Sequence, residues 1–340
     1  MPGFTTHYLF GIKAYHRLPK GPLRSCISLC HGTYALGEQG PDPFFFSPLS
    51  YLIRNNNPAN FMHEGGMGRL IIEMAKLGNA SRNEDERKCL AAYIAGLLGH
   101  YELDGAVHPY VYGVTDPNIT HSPKTLESHF FLENDIDCAA LKHIKGLELK
   151  NFRMHRVLPL RLGEAGWIAN LLAKSCEKVY PALRGGKFVM RSAIWAGKVS
   201  IWLLEDPTGR KKGIAESLEK KLFGHAVYSG IVGSADAKPS MADPFNLRHL
   251  PWINPWDKEA INRDDVNSLM KAAGKRYLKD LISLEKYYFC KDEDKKKLLF
   301  DEFSETIGNR SLHSGLEPIL SETVLLEKAK EHIGKIKINQ

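Results

Sequence analysis

Residues 83–109 read NEDERKCLAAYIAGLLGHYELDGAVHP. Residues 83–104 open on acidic side chains, which suit the positive end of a helix dipole, and continue with apolar residues at helical spacing. This predicts a helix. His100 and Asp104 stand four apart on it and so project from one face, one turn above the other. His108 continues that face, and Pro109 predicts that the helix ends there. A second helix is predicted over 122–146, where Ser122 supplies a cap and Pro123 a first-turn proline. It carries His129 and Glu133, again four apart. Two such helices, antiparallel and facing, would converge three imidazoles and two carboxylates. That donor set suits zinc, with positions left over for water. One His/carboxylate pair on a helix is commonly a surface ion pair or a satisfied buried pair. Two pairs on consecutive helices, with His108 between them, favour a metal, because burying so many ionisable groups without a cation carries a large desolvation cost.

The chain has 340 residues, with 46 Lys+Arg against 39 Asp+Glu and 43% hydrophobic residues, which excludes a disordered or collagen-like chain. Further helices are expected near 7–17, 67–78, 162–179, 190–204, 211–229, 257–286, 292–305 and 320–334, and strand-like alternation is scarce. The fold class is therefore mainly α. The stretches 31–63 and 235–256 are rich in Pro, Gly and Asn and read as long loops. The domain reading is 1–235 for the metal domain and 236–340 for a helical C-terminal extension, which could also pack into the same unit. The start of the chain has no cationic segment followed by a long apolar one, no run of about 18 apolar residues occurs, and the six cysteines are scattered. A cytoplasmic protein with reduced thiols and no transmembrane segment is expected. The net charge of +7 is modest, and its most visible run, Lys291 to Lys297, mixes both signs, as a solvated helix face does.

Several chemistries fail on inspection. His63-Glu64-Gly65-Gly66-Met67 begins like a zincin helix but has Met67 where the second histidine belongs. Gly185-Gly186-Lys187 is followed by Phe188, without the hydroxyl residue of a phosphate loop. No Gly-x-Ser-x-Gly nucleophile elbow and no adjacent His-Asp doublet occurs. Cys26 and Cys30 lack a second pair to complete a zinc site. His31 and His121 read as loop residues, His16 as a surface residue, and Trp167, Trp195 and Trp202 as core. Tyr34, Phe44, Phe45 and Phe46 form an aromatic cluster that packs in the core or walls a pocket. Tyr101 and Glu102 are candidates to brace metal-bound histidines, and Arg54 and Lys124 to meet a phosphate.

The pattern of His100, Asp104 and His108 followed by His129 and Glu133 resembles the core of the zinc-dependent phospholipase C family of bacteria, whose fold is shared with fungal single-strand-specific nucleases. The start Met1-Pro2-Gly3-Phe4-Thr5-Thr6-His7-Tyr8 and the run Gly37-Glu38-Gln39-Gly40-Pro41-Asp42 look like a signal-less intracellular branch of that family. The specific motifs cover about the first 140 residues, and a weaker likeness continues through Asp243-Pro244-Phe245-Asn246 and Trp252-Ile253-Asn254-Pro255. The resemblance implies a multi-helical domain with two or three zinc ions. By position, Asp42, His63, His100 and Asp104 would hold one, and His108, His129 and Glu133 a second. His7 would help hold a third, with Asp104 bridging. Asp42 would also act as the catalytic base on the attacking water. Nearby zinc ions would acidify bound water and clamp both oxygens of an in-line phosphate displacement.

The chain departs from the family in four respects, one being that the expected intracellular location separates it from extracellular lipid. The secreted enzymes use their mature N-terminal residue as a ligand, and here only a short stretch precedes His7. The spacing from Asp104 to His108 is shorter. Pro43 and Asn60 stand where aromatic residues hold choline, so choline specificity is not implied. The function expected is a zinc-dependent phosphoric ester hydrolase, phospholipase C-like, with a phosphate-ester substrate such as a phospholipid. A nuclease or nucleotidase on the same fold ranks lower without a basic groove, so nucleic acid is the less favoured partner. A non-catalytic metal-binding protein is the reading from another class. Eight of the 14 histidines fall within the first 129 residues, and five of those eight occupy the implied ligand positions.

Overall fold

The computed structural model describes residues 3–52, 57–181, 183, 186–226, 228–234 and 241–317. In chain order its helices are α1 (Phe4–Arg17), α2 (Pro22–Leu29), α3 (His31–Gly37), α4 (Pro58–Glu64), α5 (Met67–Asn79), α6 (Glu84–Thr115), α7 (Pro123–Lys145), α8 (Glu164–Val179), α9 (Gly186–Leu204), α10 (Arg210–Phe223), α11 (Tyr228–Ile231), α12 (Val266–Tyr288) and α13 (Glu293–Ile307). Strands β1 (Glu205–Asp206) and β2 (Gly233–Ser234) pair in parallel, and β3 (Trp252–Asn254) pairs antiparallel with β4 (Asp257–Asn262). The fold is mainly α, as expected.

The long helix α6 is the axis of the molecule. Its 32 residues begin at Asn83, whose side chain accepts from the backbone N–H groups of Asp85 and Glu86, with Glu84, Asp85 and Glu86 in the first turn. From Cys89 to Tyr112 it is buried on nearly every face, as a helix apolar all round must be. Helices α1, α2, α3, α5, α7, α8 and α12 and strand β3 pack around it. Contact with α3 is closest at Gly37 and Gly96. A Cβ on Gly96 would overlap the Tyr34 carbonyl oxygen, and one on Gly37 would overlap that of Tyr93. This approach brings the residues just after α3, Glu38 to Asp42, onto the face of α6 that carries His100.

Several expected boundaries change. Helix α6 does not end at Pro109 but runs on to Thr115. Pro109 has no N–H for the Gly105 carbonyl, and Gly315 packs against that carbonyl instead. Burial of Val107, Tyr110, Val111 and Tyr112 holds the last turns in place. The stretch 31–63 is not a long loop. It holds α3, two short 3-10 turns at Asp42–Phe46 and Pro48–Leu52, and α4, capped by the Asn57 side chain on the Ala59 N–H. The helix expected from 257 starts at Val266, where the Asp265 carboxylate accepts from the Ser268 N–H, and 257–262 is β4. Residues 241–256 form turns and β3, 235–240 lie outside the described residues, and so does the helix expected at 320–334.

Helix α12 lays Val266, Met270, Ala273, Tyr277, Leu281, Leu284 and Tyr288 into the same core as α6. The Tyr277 hydroxyl reaches both the Ala95 carbonyl and the buried Glu38 carboxyl at 2.8 Å. Burial pushes Glu38 well above the usual carboxylate range, where it stands between α3, α6 and α12. The close helix pair supplies a test. Gly96→Ala is expected to destabilise the protein by about 1–3 kcal/mol through overpacking, despite the better helix propensity of alanine. Gly166→Ala on α8, with open space around its Cβ position, should stabilise by up to about 1 kcal/mol. Thermal denaturation of both variants reads the opposite signs.

Candidate metal centre

Four helices and one turn deliver the site. The start of α1 is held by Asp137 of α7, whose carboxylate accepts from the Thr5 N–H at 3.1 Å and from the Thr6 N–H at 2.9 Å. Burial raises Asp137 to about 6, against these hydrogen bonds. Next along the same turn of α1, His7 is fully buried and its Nε2 lies 3.1 Å from Asp104 Oδ1. His63 ends α4, Asp42 opens the 3-10 turn after α3, His100, Asp104 and His108 lie along α6, and His129 and Glu133 lie on α7. The eight expected ligands therefore meet.

They form three groups able to hold a metal ion, the first two sharing His100: His7, His100 and Asp104; Asp42, His63 and His100; and His108, His129 and Glu133. Within each group, the candidate ligand atoms lie within 4.8 Å of one another. The third group is the implied second zinc set. The first two differ from the implied sets in that His100 is common to both, while Asp104 groups with His7. Asp104 nevertheless reaches beyond its group. Its Oδ2 lies 3.1 Å from His100 Nε2, 3.5 Å from His108 Nδ1 and 3.6 Å from His63 Nε2.

The imidazoles are oriented from behind. His63 Nδ1 donates to the Ala59 carbonyl at 2.7 Å, His100 Nδ1 to the Glu38 carbonyl at 3.2 Å and His108 Nδ1 to the Leu312 carbonyl at 2.9 Å. A carbonyl can only accept, so each Nδ1 carries a proton and each ring turns its Nε2 inward. Metal-bound histidines have this backing. Gly40 has φ +53°, and a Cβ there would overlap the His100 ring, so only glycine permits both the turn and the ring position.

The electrostatics call for a cation. Burial holds His7 below its ordinary value and His108 and His129 well below theirs, so all three present lone pairs. Although burial opposes it, His108 and His100 keep Asp104 well below the usual carboxylate range. Burial works against charging His100 too, but the Asp104 and Asp42 carboxylates raise it to about 9. A proton then sits where a metal would. Among the described residues, His7 Nδ1, Asp42 Oδ1, His100 Nε2 and Asp104 Oδ2 are buried and make no hydrogen bond. Unbonded buried donor atoms of this kind fit a divalent cation.

The site opens on one cavity of about 1290 Å³. Asp42, His63, His108, His129 and Glu133 line it, while His7, His100 and Asp104 lie behind that wall. Its other walls include Phe45, Phe46, Phe130, Phe152, Ile201 and Leu204. The aromatic cluster thus divides: Tyr34 and Phe44 enter the core, and Phe45 and Phe46 wall the cavity.

Two further histidines, read from the sequence as ordinary polar residues, face this cavity. His121 sits in the turn before α7 with φ +50°, and Asp116 accepts from its N–H at 2.7 Å. His313 stacks on His63 with ring centroids 5.3 Å apart. Its loop clasps the centre: the Leu312 N–H and the Ser311 hydroxyl both donate to the His63 carbonyl. No local spacing marks either residue. His31 and His16 are exposed, as is Lys124, which stands outside the cavity lining, and Arg54 lies outside the described residues. Tyr101 and Glu102 do not brace the metal histidines. The Tyr101 hydroxyl donates to the Ile307 carbonyl, and Glu102 binds Arg276 and Arg310.

Comparison with protein-family models, with curated proteins and with solved structures returns no match.

Two expectations follow from this geometry. Asp104→Asn is expected to lower divalent-metal stoichiometry by more than one ion, read by elemental analysis, whereas Glu133→Gln should affect one. In the chelated protein, His7, His108 and His129 are held below the ordinary value of 6.5. The unfolded chain then takes up protons that the folded one refuses, and stability falls as pH drops below about 6.5. His100 has the opposite sign, since its contribution is complete below 6.5 and lost as pH rises through about 9. Thermal midpoints of the chelated protein should fall on both sides, and added divalent metal should raise them by mass action.

Proposed function

We propose that the protein is a zinc-dependent phosphoric ester hydrolase of phospholipase C type, acting on a phosphodiester that carries an apolar group. One observation carries the reading. The Asp42/His63 and His108/His129/Glu133 clusters stand side by side on the floor of a single cavity whose remaining walls are largely apolar. The nitrogen and carboxylate donors favour zinc over magnesium or calcium, which prefer oxygen alone. The family resemblance of the His/Asp/Glu pattern supports the same choice.

Bound zinc would supply Lewis acidity toward the phosphoryl oxygens and toward water. The chain itself does the rest. Asp42 is 2% exposed, lines the cavity and keeps Oδ1 without a hydrogen bond. In this reading it takes the proton of the attacking water. The carbonyl-tethered rings of His63 and His108 hold their geometry without reorganisation when charge develops on phosphorus. Phe45, Phe46 and Phe130 exclude bulk water and offer an apolar bed beside the phosphate. The cavity of about 1290 Å³ exceeds the roughly 300–1,000 Å³ of an ordinary small-ligand pocket, which suits an extended amphiphile. No covalent enzyme intermediate is needed.

The zinc-loaded protein is expected to release phosphorylated head group from glycerophospholipids and to cleave a chromogenic phosphodiester. Asp42→Asn should lower kcat by about 10²–10⁴-fold, the range for loss of a general base. Turnover of single-stranded DNA but of no phospholipid would move the assignment to a nuclease. A protein that binds zinc stoichiometrically and cleaves neither would be a metal-binding protein without this chemistry.

A further inference from the structure

Helices α9 and α10 both turn apolar side chains to the outside. On α9, Phe188, Trp195, Val199 and Trp202 follow one another at helical spacing along a single stripe, and all are exposed. Trp202 is 58% exposed. The sequence reading placed Trp195 and Trp202 in the core, and the structure overturns this: the buried stripe of α9 is Met190, Ala193, Ile194, Gly197 and Ile201. On α10, Ile214, Leu218 and Leu222 face outward, while Lys212 is 2% exposed with its ammonium over the Phe131 ring at 4.7 Å. Scattered exposed apolar residues need no explanation, but contiguous stripes mark a contact surface.

The charge around these stripes names the partner. Helix α9 contains Lys187, Arg191 and Lys198 and no acidic residue, and α10 contains five cations against Glu216 and Glu219. Lys198 stands over the Trp195 ring at 5.0 Å. A second copy would bring the same positive charge to this face and be repelled. Aromatic and aliphatic side chains flanked by Lys and Arg are the chemistry of helices lying in the interface of an anionic bilayer. The stripes also meet the mouth of the cavity. Leu222, Phe223 and Tyr51 are both exposed and part of its lining, and Ile201 and Leu204 turn inward beside Trp202 and Leu203.

We infer that α9 and α10 form a docking surface for an anionic phospholipid bilayer, seated with the cavity mouth toward the lipid. Docking itself does not depend on the hydrolysis proposed above; delivery of a lipid to the metal centre does. The side chains of Trp195, Trp202, Leu218 and Leu222 enter the acyl boundary, and the flanking cations meet lipid phosphates.

The test is sedimentation of the full chain with vesicles of phosphatidylcholine and phosphatidylglycerol in equal parts, against vesicles of phosphatidylcholine alone. Both the zinc-loaded and the chelated protein are used, so that failed docking and failed hydrolysis are told apart. Binding to the anionic vesicles is expected in both forms, weakened about tenfold or more by screening salt. Tryptophan emission should shift to the blue and be quenched by brominated acyl chains. The double variant Trp202→Ser, Leu218→Ser should partition about tenfold less or weaker still, with an unchanged thermal midpoint because both side chains are exposed. No sedimentation at low salt, or sedimentation that the variant leaves unaltered, would overturn the proposal. So would a dimer in solution that the variant dissociates. Tryptophans already shielded from acrylamide in the free protein would overturn it too, since residues 318–340 or another part of the chain would then cover the face.

Discussion

Asp104 is a carboxylate without exposed surface, and imidazoles from three helices, His7, His63, His100 and His108, close on it. An isolated charge in such a place costs several kcal/mol even after relaxation. The surrounding rings offset that cost only if positive charge stands between them, as a proton on His100 or as a metal ion. Much of the architecture serves to keep these groups in register. Asp137 fixes the start of α1 and with it His7, and Gly37 and Gly96 let α3 come close enough for the Glu38 carbonyl to hold His100.

The backing of the histidines is made of main chain. Ala59, Glu38 and Leu312 each present a carbonyl to an Nδ1. A carbonyl neither titrates nor rotates away, so the tautomer of each ring is set by the fold and stays set when charges in the cavity change. The loop after α13 takes part in this from the far end of the chain, through Leu312 and the His63 carbonyl. The C-terminal helices are thereby tied to the centre, and α12 adds a second tie through Tyr277 and Glu38.

The site and the apolar stripes of α9 and α10 belong to one surface logic. The deep members of the centre, His7, His100 and Asp104, are sealed from the cavity, while Asp42, His63, His108, His129 and Glu133 face it. From that floor the walls turn apolar, and the rim passes into side chains that no described element covers. Polarity thus changes from candidate metal ligands to hydrocarbon to cation-flanked tryptophan along a single path outward.

Local spacing made part of this legible. His100, Asp104 and His108, and His129 and Glu133, fall four apart, and a helix puts residues so spaced on one face whatever surrounds it. The mainly α class and most helix starts follow from the same local rules of capping and periodicity. His7, Asp42 and His63 entered the expected set only through the family resemblance, because nothing near them in sequence shows that three separate elements meet. His121 and His313 carry no such mark, since the first sits in a turn held by Asp116 and the second in a loop held by the distant His63 carbonyl. Periodicity also misplaced Trp195 and Trp202. It reports that a helix has an apolar face, but not whether core or solvent lies against it. Pro109 failed as a stop signal for a related reason, since burial of the following turn outweighs the lost hydrogen bond. The helices and the two His/carboxylate pairs are properties of neighbouring residues and can be read without the packed structure. Packing brings His7, His63, His100 and His108 onto the one buried carboxylate of Asp104, turns main-chain carbonyls toward His63, His100 and His108, and leaves apolar stripes of α9 and α10 uncovered. These arrangements depend on which surfaces the packed chain brings together and which it leaves uncovered.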